Sequence, residues 1–246
     1  MRALALVLSL FATSAAAVEC RDAEWLGRGY TVCAVDAVQD ELRLFLTDDG
    51  GVPYGTFAAV DAGLAQQGKQ LVFAMNAGMY HEDRSPVGHY RESGREVRGV
   101  IANAGPGNFG MLPNGVFCFG PGRVEVIETT AYQGRDEADC PNATQSGPML
   151  VIDGELHPRF LSDSTSRYIR NGVGVNAEGT KAWFVMSELP VTFHEFASVF
   201  RDMLGAPQAL YFDGNVSRLF SPQIGRNDLG LRMGPIVGVV ADRPAD

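Results

Sequence analysis

Hydrophobic residues along the chain fall into short runs broken by Gly, Pro, Asn and Asp, which is the pattern of strands joined by turns. The clearest run lies in residues 208–217, where Ala209-Leu210-Tyr211-Phe212 stops at Asp213-Gly214-Asn215. A continuous apolar stretch bounded by turn residues predicts a buried strand that delivers the Asp213 carboxylate to an edge or cleft. Just upstream, Phe193, Phe196, Ala197, Phe200, Met203 and Leu204 recur at helical spacing behind a Thr192/Glu195 capping box, and Gly205 ends the pattern. Residues 182–186 are another apolar strand, so the order is strand, helix, strand, as a parallel crossover requires. Ligands in such units sit beyond the carboxyl ends of the strands, where Asp213 ends one strand and Ser187 and Glu188 end the other.

The first half of the chain repeats this order. Residues 30–38 and 41–46 predict a strand pair turning at Gln39-Asp40. Thr56 caps a helix with Phe57, Val60 and Leu64 on one face, Gly68 stops it, and residues 70–75 form a strand ending at Asn76-Ala77-Gly78-Met79-Tyr80. Two such crossovers bring Asn76 and Asp213 to the same side of one sheet. Between them, Ser93-Gly94, Asn114-Gly115 and Asp153-Gly154 signal turns, with strands over 123–130 and 149–152, a polar loop over 133–141 and a last strand over 235–240. The expectation is a single α+β domain, a mixed twisted sheet with a few helices and several hairpins.

The 246 residues, 46% hydrophobic, suffice for one sizeable core, and no linker divides them. Residues 1–17 carry Arg2, a short apolar run and Ser14-Ala15-Ala16-Ala17, which reads as a secretory signal too short to span a bilayer. This divides the chain into a signal over 1–17 and a domain over 18–246. Val18 and Glu19 do not suit a lipobox before Cys20, so a soluble exported protein is expected, periplasmic or secreted, with no membrane anchor. Export permits disulfides; among the possible pairings, proximity favours Cys20 with Cys33 and Cys118 with Cys140. A net charge of −9 argues against nucleic acid as a partner. His81, His89, His157 and His194 show no metal-site spacing; no cofactor is expected, and a divalent metal is left open.

No G-x-S-x-G elbow, H-E-x-x-H or Walker sequence occurs. What remains are polar residues embedded in glycine: Asn76 with Gly78, Gln145 with Ser146 and Gly147, Arg170 with Asn171 and Gly172, and Asp213 with Gly214 and Ser217. Any one of these reads as a turn after a strand, but all four stand at strand margins. Among possible acid/base partners of Asp213, Glu188 is favoured by its strand-end position over Asp83 and Asp153.

Taken in order from about residue 73 to 220, these segments resemble the phosphodiester glycosidase family. The resemblance rests on Asn76-Ala77-Gly78-Met79-Tyr80, Asn108-Phe109, Pro113-Asn114-Gly115-Val116-Phe117, Gln145-Ser146-Gly147-Pro148, Arg170-Asn171-Gly172-Val173-Gly174 and Asp213-Gly214. Where a lysosomal member has D-G-G-G-S, this chain has Asp213-Gly214-Asn215-Val216-Ser217, and Arg170-Asn171 replaces Arg-Thr. The resemblance implies an exported hydrolase that releases sugar and a phosphomonoester from a sugar-1-phosphodiester, on a small molecule or a polysaccharide. It implies Asp213 as nucleophile or base and Arg170 as a guanidinium fork on phosphate; Glu188 is the expected second carboxylate on its strand-end position alone. The expected substrate contacts are Asn76, Gly78, Tyr80, Gln145, Ser146, Gly147, Asn171, Gly214 and Ser217. A non-catalytic module that binds envelope polysaccharide and a metal-assisted phosphodiesterase with Asp213, Glu188 and an Asn as oxygen ligands are the alternatives.

Overall fold

The computed structural model describes residues 18–244, so the signal expected over 1–17 lies outside the described residues. The apolar runs form three sheets. The first orders β1 (Glu19–Trp25), β2 (Arg28–Asp36), β13 (Lys181–Ser187), β12 (Asn171–Val175), β14 (Gln208–Asp213), β10 (Met149–Ile152) and β11 (Glu155–Leu156). The second orders β16 (Arg226–Asn227), β15 (Leu219–Ser221), β4 (Lys69–Asn76), β17 (Ile236–Asp242) and β3 (Glu41–Phe45). The third orders β6 (Arg95–Arg98), β5 (Tyr90–Glu92), β9 (Asn142–Ser146), β7 (Gly115–Gly120) and β8 (Arg123–Glu128). With the helices Phe57–Ala65 and Phe193–Ser198 each covering a sheet, the fold is α+β, as the sequence implies.

The two crossovers take a different form from the one expected. β13 and β14 run parallel, yet β12 lies between them and is antiparallel to both. Likewise β17, from the end of the chain, separates β3 from β4. Both inserted strands carry a glycine where a neighbour's backbone comes close. A Cβ on Gly172 would lie 2.5 Å from the Leu210 carbonyl oxygen, and one on Gly238 would lie 2.7 Å from that of Phe73. Consequently Asn76 and Asp213 end strands of two different sheets, which corrects their expected placement in one.

Local turn chemistry decides the hairpins. Ser93-Gly94 and Asp153-Gly154 have φ of 50° and 82° in each case, as two-residue hairpin turns demand, and they join β5 to β6 and β10 to β11. The expected pair over 30–46 does not form. The Asp36 carboxylate accepts from the amides of Val38 and Gln39, and the chain passes from the first sheet to the second there. Asn114-Gly115 is not a turn either: Asn114 is buried, donates to the Phe109 carbonyl and accepts from Thr129 Oγ1, while Gly115 opens β7. The disulfides are Cys20–Cys33 and Cys118–Cys140, as proximity suggested.

The main core lies where the three sheets meet. Phe73 of β4, Phe117 of β7, and Phe184 and Phe212 of the first sheet pack there in tilted and edge-to-face pairs with centroid separations of 5.0 to 6.3 Å. On the opposite face of the first sheet, Phe196, Ala197, Val199 and Phe200 pack onto Leu150, Val185 and Tyr211. The capping box holds this helix at its start: Glu195 N donates to Thr192 Oγ1, and Thr192 N donates to Glu195 Oε2. Thr192→Ala is expected to cost about 1 kcal/mol, seen as a lower urea midpoint at unchanged slope.

Candidate active site

Asp213 ends β14 behind a β-bulge: Gly172 of β12 faces Tyr211, but Asn171 faces Asp213, so Phe212 is the extra residue. Bulges re-aim the side chains beside them. Here Phe212 enters the core while Tyr211 and Asp213 both reach a cleft of ≈ 500 Å³. The carboxylate is only 8% exposed, and its Oδ1 accepts from the amides of Gly214 (2.6 Å) and Asn215 (2.8 Å). Burial pushes the Asp213 pKa above its ordinary value, against the pull of the Asn215, Gly214 and Val216 amides.

An amide clasp fixes the loop that follows. Asn171 Nδ2 donates to the side-chain and main-chain oxygens of Asn76 (2.9 and 3.1 Å), and Asn76 Nδ2 donates back to Asn171 Oδ1 (3.2 Å). The oxygens of this pair also accept from the loop's two ends: Asn171 Oδ1 from Asp213 N, and Asn76 Oδ1 from Arg218 N. Ser217 Oγ donates to the Ile169 carbonyl (2.9 Å) and closes the loop from outside.

Most of the glycine-embedded polar residues therefore build the site without lining it. Gln145 is buried with both ends engaged: Oε1 accepts from His89 N and Ile101 N, while Nε2 donates to Ile101 O and Thr129 Oγ1. Ser146 Oγ donates to the Phe212 carbonyl, which ties the third sheet to β14. Gly78, with φ 147°, passes close to Thr144, and a Cβ on Gly147 would lie 2.6 Å from that of Asn114. Of the expected substrate contacts, Tyr80 and Gly214 line the cleft with Asp213.

Two expected catalytic residues are placed differently. Arg170 is fully buried; its Nε donates to Val191 O (2.9 Å), its Nη2 donates to Ser166 O (3.2 Å), and its guanidinium lies 3.6 Å from the Phe193 ring centroid. Two of its nitrogens are thus engaged by carbonyls, while Nη1 is buried with no hydrogen-bond partner among the described residues. Arg170 supports the wall, lying 5.4 Å from the Tyr168 ring and 5.5 Å from that of Tyr211. Burial lowers the pKa of Arg170 and raises that of Tyr211. Glu188 turns away as well: Oε1 pairs with Arg226 Nη1 (2.5 Å) and accepts from Thr31 Oγ1 (2.8 Å). The carboxylate pair expected of Glu188 and Asp213 is not assembled, because the connection after β13 points this side chain toward β2 and β16.

The cleft wall also contains residues that were not among the expected substrate contacts: Asn108, Ser166, Tyr168, Tyr211 and Asn215. Tyr211 had a signal, since it stands two positions before Asp213 on a strand. Asp213 is the one carboxylate among the described residues lining this cleft. A larger groove of ≈ 780 Å³ runs along β8, but no residue of the Asp213 loop lines it. Among the described residues no three His, Cys, Asp or Glu side chains converge as metal ligands.

With this geometry in place, the family model for phosphodiester glycosidases matches residues 69–229, a span that holds the clasp, the cleft and Asp213. The chain belongs to the phosphodiester glycosidase family. It is 33% identical over 214 residues to the uncharacterized protein YigE of Escherichia coli K12, covering 87% of this chain and 82% of that one. The phosphodiester glycosidase fold recurs in the zebrafish N-acetylglucosamine-1-phosphodiester alpha-N-acetylglucosaminidase catalytic domain, auto-inhibited by its pro-peptide. That comparison has a TM-score of 0.60 at 12% identity and covers 90% of this chain and 81% of that one. A hypothetical protein from Synechocystis shares the fold with TM-score 0.56 and 15% identity; the match covers 91% of this chain and 62% of the Synechocystis chain.

Proposed function

We propose that this phosphodiester glycosidase is an exported enzyme that hydrolyses the glycosidic bond of a sugar-1-phosphodiester. The observation that carries this reading is that Asp213 is the one carboxylate lining the cleft among the described residues. Hydrolysis of an ordinary glycoside uses two carboxyl groups, because an alkoxide leaving group needs a proton. A phosphodiester leaves as a stable phosphomonoester anion and makes no such demand. Asp213 acts at C1 as nucleophile or base, the C1–O bond breaks with its electron pair going to the phosphate oxygen, and water supplies the new hydroxyl. Tyr80 and Tyr168 offer aromatic surface to the sugar. Export is supported by the sequence of residues 1–17 and by the two disulfides, and no described helix is long and apolar enough to cross a membrane.

The test is a panel of sugar-1-phosphodiesters, with and without EDTA. Free sugar plus phosphomonoester, indifferent to chelator, is expected; loss of turnover on chelation would favour the metal-assisted phosphodiesterase. Saturable binding with no turnover would favour the binding module. The pH profile gives a second check. Because burial raises the Asp213 pKa, the acid limb of kcat/KM is expected above the ordinary aspartate value of ~3.9. An acid limb at or below that value would remove Asp213 from the role.

A further inference from the structure

Tyr80 lines the cleft; burial raises its pKa, the charge of Asp213 adds to the rise, and the charges of Arg84 and Arg218 oppose it. The Arg84 guanidinium carbon lies 5.4 Å from the centre of the Tyr80 ring. Neither Arg84 nor Arg218 has a side-chain hydrogen bond or ion pair among the described residues. For Arg218 this is costly, because the residue is only 8% exposed and burial lowers its pKa. The nearby Asp228 carboxylate is engaged elsewhere, accepting from Leu219 N and from Arg226 Nε. By contrast, Arg232, whose carbonyl accepts from the Tyr80 hydroxyl, spends its Nη2 on the carbonyls of Pro53 and Tyr54.

The backbone around both free guanidiniums is unusual. Arg84 has φ 74°, uncommon for a residue with a side chain, in a turn closed by His81 N to Ser85 O and capped by Asp83 on Ser85. Arg218 is fixed through its amide by Asn76, and its guanidinium passes over Gly230, where a Cβ would collide with Nη2. Gly230 has φ 143°, which favours glycine. One of these two guanidiniums thus lies over the ring of a cleft residue, and the other follows directly on the loop that begins at Asp213, in a chain of net charge −9.

The geometry points to Arg84 and Arg218 as the phosphate subsite, binding the non-bridging oxygens of the diester while Asp213 addresses C1. That assignment of the anion rests on the glycosidase reading, whereas the existence of an oxyanion site there does not. Guanidinium groups match phosphate oxygens in charge and planar geometry, and a bound phosphate would supply the acceptors that both arginines lack.

Calorimetric titration with inorganic phosphate tests this on the purified chain, with Arg84→Gln, Arg218→Gln and, as an equal-charge control, Arg201→Gln, whose side chain pairs with Asp202. One site is expected in wild type and in the control, weakened about tenfold or more in each of the other two variants. No phosphate binding in wild type, or affinity unchanged in Arg84→Gln and Arg218→Gln, would overturn the subsite. Should Arg218→Gln fold poorly, Arg218→Lys and the more exposed Arg84→Gln carry the test. Phosphate binding that depends on both arginines, without turnover of any diester, would leave the subsite standing and remove the glycosidase reading. Turnover with KM unchanged in both variants would do the reverse.

Discussion

Asp213→Asn is expected to lower kcat on a sugar-1-phosphodiester by about 10³-fold or more, and at neutral pH to raise the melting temperature. The two effects have one origin. Asp213 is buried with amide donors on one oxygen and, among the described residues, no cation paired to it, so its charge is held at a cost. Its pKa is raised in the folded state, so its contribution to stability is fully present below the unfolded value of ~3.9 and is lost as pH rises through the folded value. The uncharged amide escapes that loss and keeps an oxygen for the Gly214 and Asn215 amides. The gap in melting temperature is therefore expected at pH 7 and should close on acidification. A less stable Asp213→Asn at pH 7, or one with full turnover, would contradict the assignment.

Asn171→Ala is expected to have the largest effect on stability, about 4 kcal/mol, or on the order of 10 °C in melting temperature. The change strips buried Asn76 of its partner and leaves Asp213 N without that acceptor, both at buried positions. Because one clasp holds both ends of the 213–218 loop, kcat should fall as well, although Asn171 does not line the cleft. Asn76→Ala added to Asn171→Ala should cost less than the sum of the single changes, since both remove the same bonds. Additive losses, or a single variant within about 0.5 kcal/mol of wild type, would show that the clasp does not hold the loop.

The buried clasp also explains why sequence reading succeeded at some positions and misassigned others. Strands and helices were legible because their signals are local: the Thr192/Glu195 box, the apolar run ending at Asp213, and Gly after Ser93 and after Asp153. Strand neighbours were not legible. β12 and β17 insert between the members of each crossover, and no local pattern records which distant segment fills that gap. Short polar residues among glycines suit a substrate and a buried network equally well. What decides for Asn76 and Asn171 is a partner 95 positions away. Gln145 and Ser146 are engaged within the protein for the same reason, their acceptors and donors lying on loops and strands brought together by the tertiary fold. Arg84 and Arg218 gave no signal because an arginine in a turn reads as a solvated charge until the absence of a partner is seen in three dimensions.

The fold thus separates support from chemistry. Asn76, Asn171, Gln145 and Ser146 hold the three sheets in register beneath the cleft, and Arg170 braces the tyrosines of its wall. Asp213, Tyr80 and Tyr168 line the cleft. This separation predicts that substitutions in the support lower stability and turnover together, whereas Asp213→Asn moves them in opposite directions.

The measurement that bears most directly on the central claim is hydrolysis of a sugar-1-phosphodiester in ¹⁸O-labelled water, with both products analysed by mass spectrometry. Attack at C1 by or through Asp213 predicts the label in the anomeric hydroxyl of the released sugar and none in the phosphomonoester. Label in the phosphomonoester would mean that the P–O bond breaks, and would contradict a glycosidase built on the lone carboxylate of this cleft.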